Sequence, residues 1–196
     1  QAGSGQAVTF TAQNIIIATG ARPKTLGMPI DGQRIITSDE AIVLPRAPQS
    51  IVIMGASAIG TEFASLFHAY GSQVTMVEIL PRLVPLEDEE ISALLTRQFN
   101  KQGIVTHTGT KIESAQATAN GVTIKATNAA GALTLEAEVM LVAVGRDPNS
   151  EGLGLETIGV QVERGFIKTN GHMQTNVPGI YAIGDVACPP LLAHKA

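Results

Sequence analysis

Hydrophobic positions along the 196-residue chain change period several times, and each change predicts a different element. From Ala7, "AVTFTAQN" alternates apolar and polar side chains, as a short half-buried strand does. "IIIATG" then runs apolar through Ile15 to Ala18 and stops at Thr19 and Gly20, the pattern of a strand buried on both faces of a parallel sheet. "ARPKTLGMPIDGQ", with two prolines and two glycines, reads as loop, and "APQS" after Leu44 and Pro45 reads as a linker into a new unit. That unit opens with a strand from Ile51 to Met54. A helix from Ala58 to Tyr70 follows, with Ile59, Phe63, Leu66, Phe67 and Tyr70 at helical spacing and Gly71 as its stop. Gln73 to Glu78 is the second strand.

A second helix is predicted over about Leu86 to Gln102, with an apolar stripe of Ile91, Leu94, Leu95 and Phe99. Glu87, Asp88, Glu89 and Glu90 fall in its first turn, with Arg97 and Lys101 near its last, which complements the helix dipole. Consecutive residues on a helix point in different directions, so this acidic run is read as dipole pairing rather than a metal site. Beyond Gly103, "IVTHTGTKIE", "GVTIKAT", "ALTLEA" and "EVMLVAVG" read as strands, the middle ones hairpin-like and the last apolar enough to be central. His107 alternates with polar residues and reads as a surface strand position. From Arg146 the chain is turn-rich until a strand from Ile180 to Ile183, followed by Gly184 and Asp185; an apolar helical pattern begins near Pro190. With no initial methionine and no helix stop after "LLAHKA", the chain is expected to be a segment of a longer protein.

Chemistry enters at "IVIMGASAIGTEFASLFHAYGSQVTMVE", Ile51 to Glu78. The fingerprint G-x-G-x-x-G is met except at its second glycine, where Ser57 stands. A strand precedes Gly55, a helix follows Gly60, and an acid closes the next strand, which is the context a dinucleotide-binding βαβ unit demands. Gly55 makes the tight turn, Gly60 lets the helix pack closely on the strand, and the free N–H groups of the first helical turn are suited to a pyrophosphate. Glu78 is placed to accept hydrogen bonds from both adenosine ribose hydroxyls and to repel a 2'-phosphate, which favours NAD over NADP. Arg82, four residues on, is the nearby cation that could oppose this preference, although "ILPR" is a turn that need not aim at the ribose. The bland alternative is a crossover with no ligand. Asp185 likewise has two readings: an acceptor for the hydroxyls of a polyol, or a cap for the helix near Pro190.

Composition narrows the function. Lys and Arg number 13 against 17 Asp and Glu, for a net charge of -4, and aromatics are 4% with no Trp; this is not a phosphate-backbone binder with stacking platforms, so no nucleic-acid partner is expected. Apolar residues make up 44%, enough for a real core. Cys188 is the only cysteine, so the chain holds no disulfide framework, no CxxC pair and no cysteine metal cluster, and Cys188 reads as a bystander. Apolar runs such as "VMLVAV" are strand length and no signal peptide opens the chain, so no membrane partner and a cytoplasmic location are expected.

Taken together, "IIIATG", "GASAIGTEFASLF", "VTMVE", "VAVGRDPN", "IYAIGD" and "LLAHKA" closely resemble the pyridine nucleotide-disulfide oxidoreductases, over the whole chain and in the right order. The "LLAHKA" tail points, within that family, to the members that oxidise protein-bound dihydrolipoyl groups, because glutathione and mercuric reductases usually continue differently after the GD motif. The resemblance implies an α/β fold: a Rossmann-like NAD-binding domain, 45–147, inserted between two pieces, 1–44 and 148–196, of an FAD-binding domain of similar architecture. It implies that Gly55, Ala56, Ser57, Ala58, Ile59, Gly60 and Glu62 form the NAD loop and helix start, with Glu62 towards the nicotinamide side. Glu78 would then bind the adenosine ribose, Ile112 border the adenine, and Gly145 let the backbone pass close to the dinucleotide. Thr19, Gly20 and Ala21 would touch FAD, as would Asp185 on the ribityl chain and Leu191, Leu192, Ala193 and His194 beside the flavin. His194 is flavin-adjacent scaffold in this reading and no residue of the chain is catalytic. The intact protein would pass electrons from a dihydrolipoyl group through a cysteine disulfide and flavin to NAD. Its partners would be the lipoyl domain of a 2-oxo acid dehydrogenase complex and a second copy of itself as a homodimer. The family's first FAD fingerprint, cysteine pair and C-terminal His-Glu base are not in this chain. Two alternatives remain: an NAD-binding module without turnover, or a segment of another disulfide reductase or NADH oxidase.

Overall fold

The computed structural model describes residues 8–195. In chain order the elements begin with β1 (Ile15–Ile17), β2 (Ala21–Pro23), β3 (Ile35–Ile36), α1 (Ser38–Ala41), β4 (Ser50–Met54), α2 (Ala58–Ala69) and β5 (Gln73–Val77). Next come α3 (Glu89–Gln102), β6 (Val105–His107), β7 (Lys111–Ala117), β8 (Val122–Asn128), β9 (Gly131–Ala137) and β10 (Val139–Val142). The last are β11 (Arg146–Pro148), β12 (Val162–Glu163), β13 (Phe166–Ile167) and β14 (Ile180–Ala182), with 3-10 turns at Leu155–Ile158, Gly184–Val186 and Ala193–Lys195. The chain forms two compact units, Pro23–Arg146 and the described parts of Gln1–Arg22 with Asp147–Ala196.

In the Pro23–Arg146 unit, a five-stranded parallel sheet has the order β3-β10-β4-β5-β6. Its central strands β4 and β10 are apolar without alternation because both faces are covered. Ile51 and Ile53 face α2 and α3, packing with Phe63, Phe67, Met76, Phe99 and Leu141. Val52, Met140 and Val142 face the antiparallel meander β7-β8-β9, where Ile124 and Val122 meet them. The expected strand "IVTHTGTKIE" is two strands in two different sheets, since Gly109 turns the chain between them at φ 59.

Both helices bury only part of the stripe that the spacing suggests. On α2 the buried residues are Gly60, Thr61, Phe63, Ala64 and Phe67, while Leu66 and Tyr70 are exposed. The helix lies close to the sheet, so the small residues Gly60 and Ala64 are buried beside Phe63 and Phe67. Helix α3 begins at Glu89 rather than at Leu86, because Asp88 caps it by accepting from the Glu90 N–H at 2.8 Å. Its inward side is Ser92, Leu95 and Phe99, leaving Ile91 and Leu94 exposed. The acidic residues sit where the dipole favours them, and Gly103 closes the helix at φ 95.

The other unit departs further from expectation. Residues 8–14 form no strand, and Val8 and Phe10 are exposed; Ala7 lies outside the described residues. β1 pairs in parallel with β14 alone, so Ile15 and Ile16 are 52% and 62% exposed rather than buried. Among the described residues after Pro190 there is a single 3-10 turn, at Ala193–Lys195. A small core of Leu155, Val160, Ile167, Ala182 and Val186 holds the unit together. The compact unit starts at Pro23 because β3 adds to the edge of the five-stranded sheet beside β10.

One carboxylate anchors the linker that leads into the sheet. Glu138, just before β10, accepts from the Gln49 N–H at 2.7 Å and from both terminal nitrogens of Arg46, while the Ser50 hydroxyl accepts from the Glu138 N–H at 2.9 Å. The Arg46 hydrogen bond, followed by the Gln49 N–H, holds the Glu138 carboxyl below its ordinary value of 4.5. Glu138→Ala is expected to lower stability by about 2 kcal/mol in urea unfolding, and Arg46→Ala, at an exposed position, by a smaller amount. The contribution of Glu138 is fully present above the unfolded-chain value. It is lost as pH falls through the depressed folded value, so the wild type and Glu138→Ala converge in acid and a pH series of unfolding midpoints shows it.

Candidate functional site

At the C-terminal end of the parallel sheet lies a cavity of about 380 Å³, within the ordinary range for small-molecule sites of roughly 300–1,000 Å³. Its floor is made by the ends of β4, β5 and β10, represented by Gly55, Val77 and Ala143. Ile112 closes one side, and Ile79, Leu80 and Pro85 another. Open sheets bind ligands in such crevices outside the carboxyl ends of their strands.

Glu78 follows β5 directly and is only 6% exposed. Its Oε2 accepts from the Ala56 N–H at 2.8 Å and its Oε1 from the Leu80 N–H at 2.8 Å. Each carboxylate oxygen keeps a further lone-pair direction for a hydroxyl. Beside it, α2 begins at Ser57, whose side chain makes no capping hydrogen bond, and Ser57 and Ala58 are both exposed. The first N–H groups of the helix are thus left for an anion. At φ -80 and ψ -167, Ser57 needs no glycine for its backbone.

The glycines on either side are compelled. A Cβ on Gly55, at φ 100, would meet the Ala143 carbonyl oxygen at 2.5 Å, and one on Gly60 would lie 2.0 Å from the Gly55 carbonyl oxygen. Gly60 therefore permits the close helix packing expected of it. Gly145 adopts φ 115 with open space above it. Ile59 is half-buried and Glu62 is exposed on α2. Arg82 is held elsewhere: it donates to Glu89 at 2.6 Å and to the Pro85 carbonyl at 3.1 Å. Arg82 is thereby engaged with the start of α3.

In the other unit, the ends of β1 and β14 lie side by side, with Ile17 opposite Ala182. Thr19, Gly20 and Ala21 follow the first, and Asp185, in the Gly184–Val186 turn, follows the second. Asn149, which the sequence reading passed over, ties this end. Thr19 donates to the Asn149 carbonyl at 2.6 Å, the Asn149 amide donates to the Thr19 carbonyl at 3.0 Å, and the Asn149 N–H donates to Gly20 at 2.9 Å. Leu191 to His194 form an exposed to half-exposed stretch around the Ala193–Lys195 turn. Among the described residues no three His, Cys, Asp or Glu side chains converge to hold a metal, and no helix is long and apolar enough to cross a membrane.

Sequence reasoning also missed Leu26, Met28 and Met54, which line the cavity. The first two sit in a segment read only as loop, with no periodicity to mark them.

A parallel sheet with a glycine-turn crossover and an acid after the second strand defines an α/β fold of the Rossmann type. The chain belongs to the pyridine nucleotide-disulphide oxidoreductase family, whose model matches residues 1–196. It is 46% identical over 187 residues to the dihydrolipoyl dehydrogenase of Chlorobaculum tepidum, covering 94% of this chain and 40% of that protein. It is 45% identical over 190 residues to that of Rhizobium etli. Among solved structures, LpdA of Mycobacterium tuberculosis superposes with a TM-score of 0.83 at 31% identity, covering 92% of this chain and 39% of that one. The HOCl-induced flavoprotein disulfide reductase RclA of Escherichia coli gives 0.81 at 26%, covering 93% and 41%. The chain spans about 40% of the length of the curated relatives it matches.

Because Glu78 holds two backbone N–H groups, it supports the loops as well as facing the cavity. Glu78→Ala leaves a buried and a half-buried donor unpaired, and is expected to lower stability by about 2–4 kcal/mol with no nucleotide present. Denaturant unfolding checks this; an unchanged midpoint would show that the loops hold without the carboxylate.

Proposed function

We propose that the cavity beside Glu78 binds NAD. The carrying observation is the buried Glu78 carboxylate, oriented by two backbone N–H groups next to the uncapped start of α2. Glu78 takes the adenosine ribose hydroxyls, the N–H groups after Gly55 to Gly60 take the pyrophosphate, and Ile112 borders the adenine. Gly145 admits the backbone close to the dinucleotide and Glu62 lies towards the nicotinamide. A 2'-phosphate would meet a fixed negative charge, with Arg82 turned to Glu89, so the site prefers NAD to NADP.

In the same reading the protein containing this chain is an FAD- and NAD-dependent dihydrolipoyl dehydrogenase. Identities of 45–46% to proteins of that name support it. The domains are 45–147 for NAD and, for FAD, 1–44 with 148–196. The FAD contacts are Thr19, Gly20, Ala21, Asp185 and Leu191 to His194. The cofactors supply the electron transfer, and this chain's residues supply binding and orientation. A homodimer in the cytoplasm, acting on the lipoyl domain of a 2-oxo acid dehydrogenase complex, completes the proposal. With Cys188 as its only cysteine, the chain taken alone acts as a binding module without turnover.

Calorimetric titration of the chain with NAD and NADP tests the site. NAD is expected to bind at least about tenfold more tightly, equivalent to about 1.4 kcal/mol; equal affinities, or none, would reject the reading. Ser57→Gly refines it. The serine backbone is relaxed and its hydroxyl caps nothing, so its Cβ on the phosphate path is what remains. The glycine variant is expected to bind NAD up to about tenfold more tightly. Weaker binding would instead assign the hydroxyl a hydrogen bond to a phosphate oxygen.

A further inference from the structure

Among the described residues, four non-glycine positions take a left-handed φ: Leu26 at 49°, Val84 at 40°, Arg164 at 51° and Met173 at 59°. Leu26 is the one that lines the cavity. It opens a left-handed pair with Gly27, at φ 77, and the turn closes with the Met28 N–H donating to the Thr25 carbonyl at 3.0 Å. Nothing local favours leucine there. Glycine or asparagine adopts this conformation at lower cost, and at 56% exposure the side chain gains little from burial. Strained residues of this kind persist where the surroundings hold them, and they cluster at ligand sites.

Strand order says which part of a ligand Leu26 would meet. The Lys24 N–H donates to the Gly145 carbonyl at 2.9 Å, which fastens the turn's base beyond the end of β10. Met28 packs into the core under the meander. Across the sheet the order is β10-β4-β5, with neighbouring strands about 4.8 Å apart, so the ends of β10 and β5 are separated by roughly 10 Å. Glu78 follows β5, and Gly55 to Ser57 follow β4. A dinucleotide with its first ribose on Glu78 and its phosphates at the start of α2 therefore directs its second nucleoside towards β10. There Ala143, Val144 and Leu26 present an apolar wall.

We infer that Leu26 is a positioning residue for the nicotinamide nucleoside, closing the apolar wall above the end of β10. The left-handed strain is retained because only a large apolar side chain at the tip of this turn reaches the ligand. The inference rests on the NAD reading of the cavity.

The test is titration of the wild-type chain, Leu26→Asn and Leu26→Gly with NAD and with ADP-ribose, which lacks the nicotinamide ring, alongside thermal unfolding. Both variants are expected to bind NAD about fivefold more weakly while ADP-ribose affinity stays within about twofold of wild type. Unfolding midpoints are expected to stay level or rise as strain is relieved. Unchanged NAD affinity, equal weakening of both ligands, or a lowered midpoint in both variants would overturn the role of Leu26. A wild-type chain that binds neither ligand would reject the NAD reading, and Leu26 with it.

Discussion

The peptide groups of Ala56 are held from two sides by the segment that follows β5. Its N–H donates to Glu78 and its carbonyl accepts from the Val84 N–H at 2.7 Å. The Gly55 N–H donates to the Val77 carbonyl at 2.9 Å, so the turn after β4 is fastened to the strand beside it as well. Gly60 then lies against Gly55 with no space for a Cβ. Each bond removes a rotation that the glycine turn would otherwise retain, and together they aim the first N–H groups of α2 outward.

The 79–88 loop is in turn held by the helix after it. Leu83 is fully buried, and its carbonyl accepts from the buried Ser92 hydroxyl at 2.6 Å. Asp88 caps α3, and Arg82 closes the loop on Glu89 and Pro85. Val84, a β-branched residue at φ 40, carries the strain that this fastening imposes. A path of hydrogen bonds thus runs from α3 through the loop to the glycine turn. Preorganisation of this kind spares a ligand the cost of ordering the site.

Much of this was legible one element at a time. The run from Gly55 to Glu78 reads as strand, turn, helix, strand and acid because glycine positions and apolar runs are local properties. The helix faces were less legible. Leu66, Tyr70, Ile91 and Leu94 have the spacing of buried residues but lie outside, since periodicity identifies an amphipathic helix without saying which neighbour it meets. Ser92 is the converse: a polar residue is buried because the Leu83 carbonyl, nine positions earlier, needs a donor.

The sequence by itself determined the α/β class, the crossover with its compelled glycines at 55 and 60, the acid at 78 and the family resemblance. These depend on residue type and spacing over stretches short enough to carry their own signal. Tertiary structure alone decided that "IVTHTGTKIE" divides between two sheets. It alone engaged Arg82 with Glu89, gave Glu78 two backbone N–H groups to hold, and placed Leu26 in the cavity wall. Each of these turns on a partner distant in sequence or on a backbone angle, and a linear pattern of apolar and polar residues records neither.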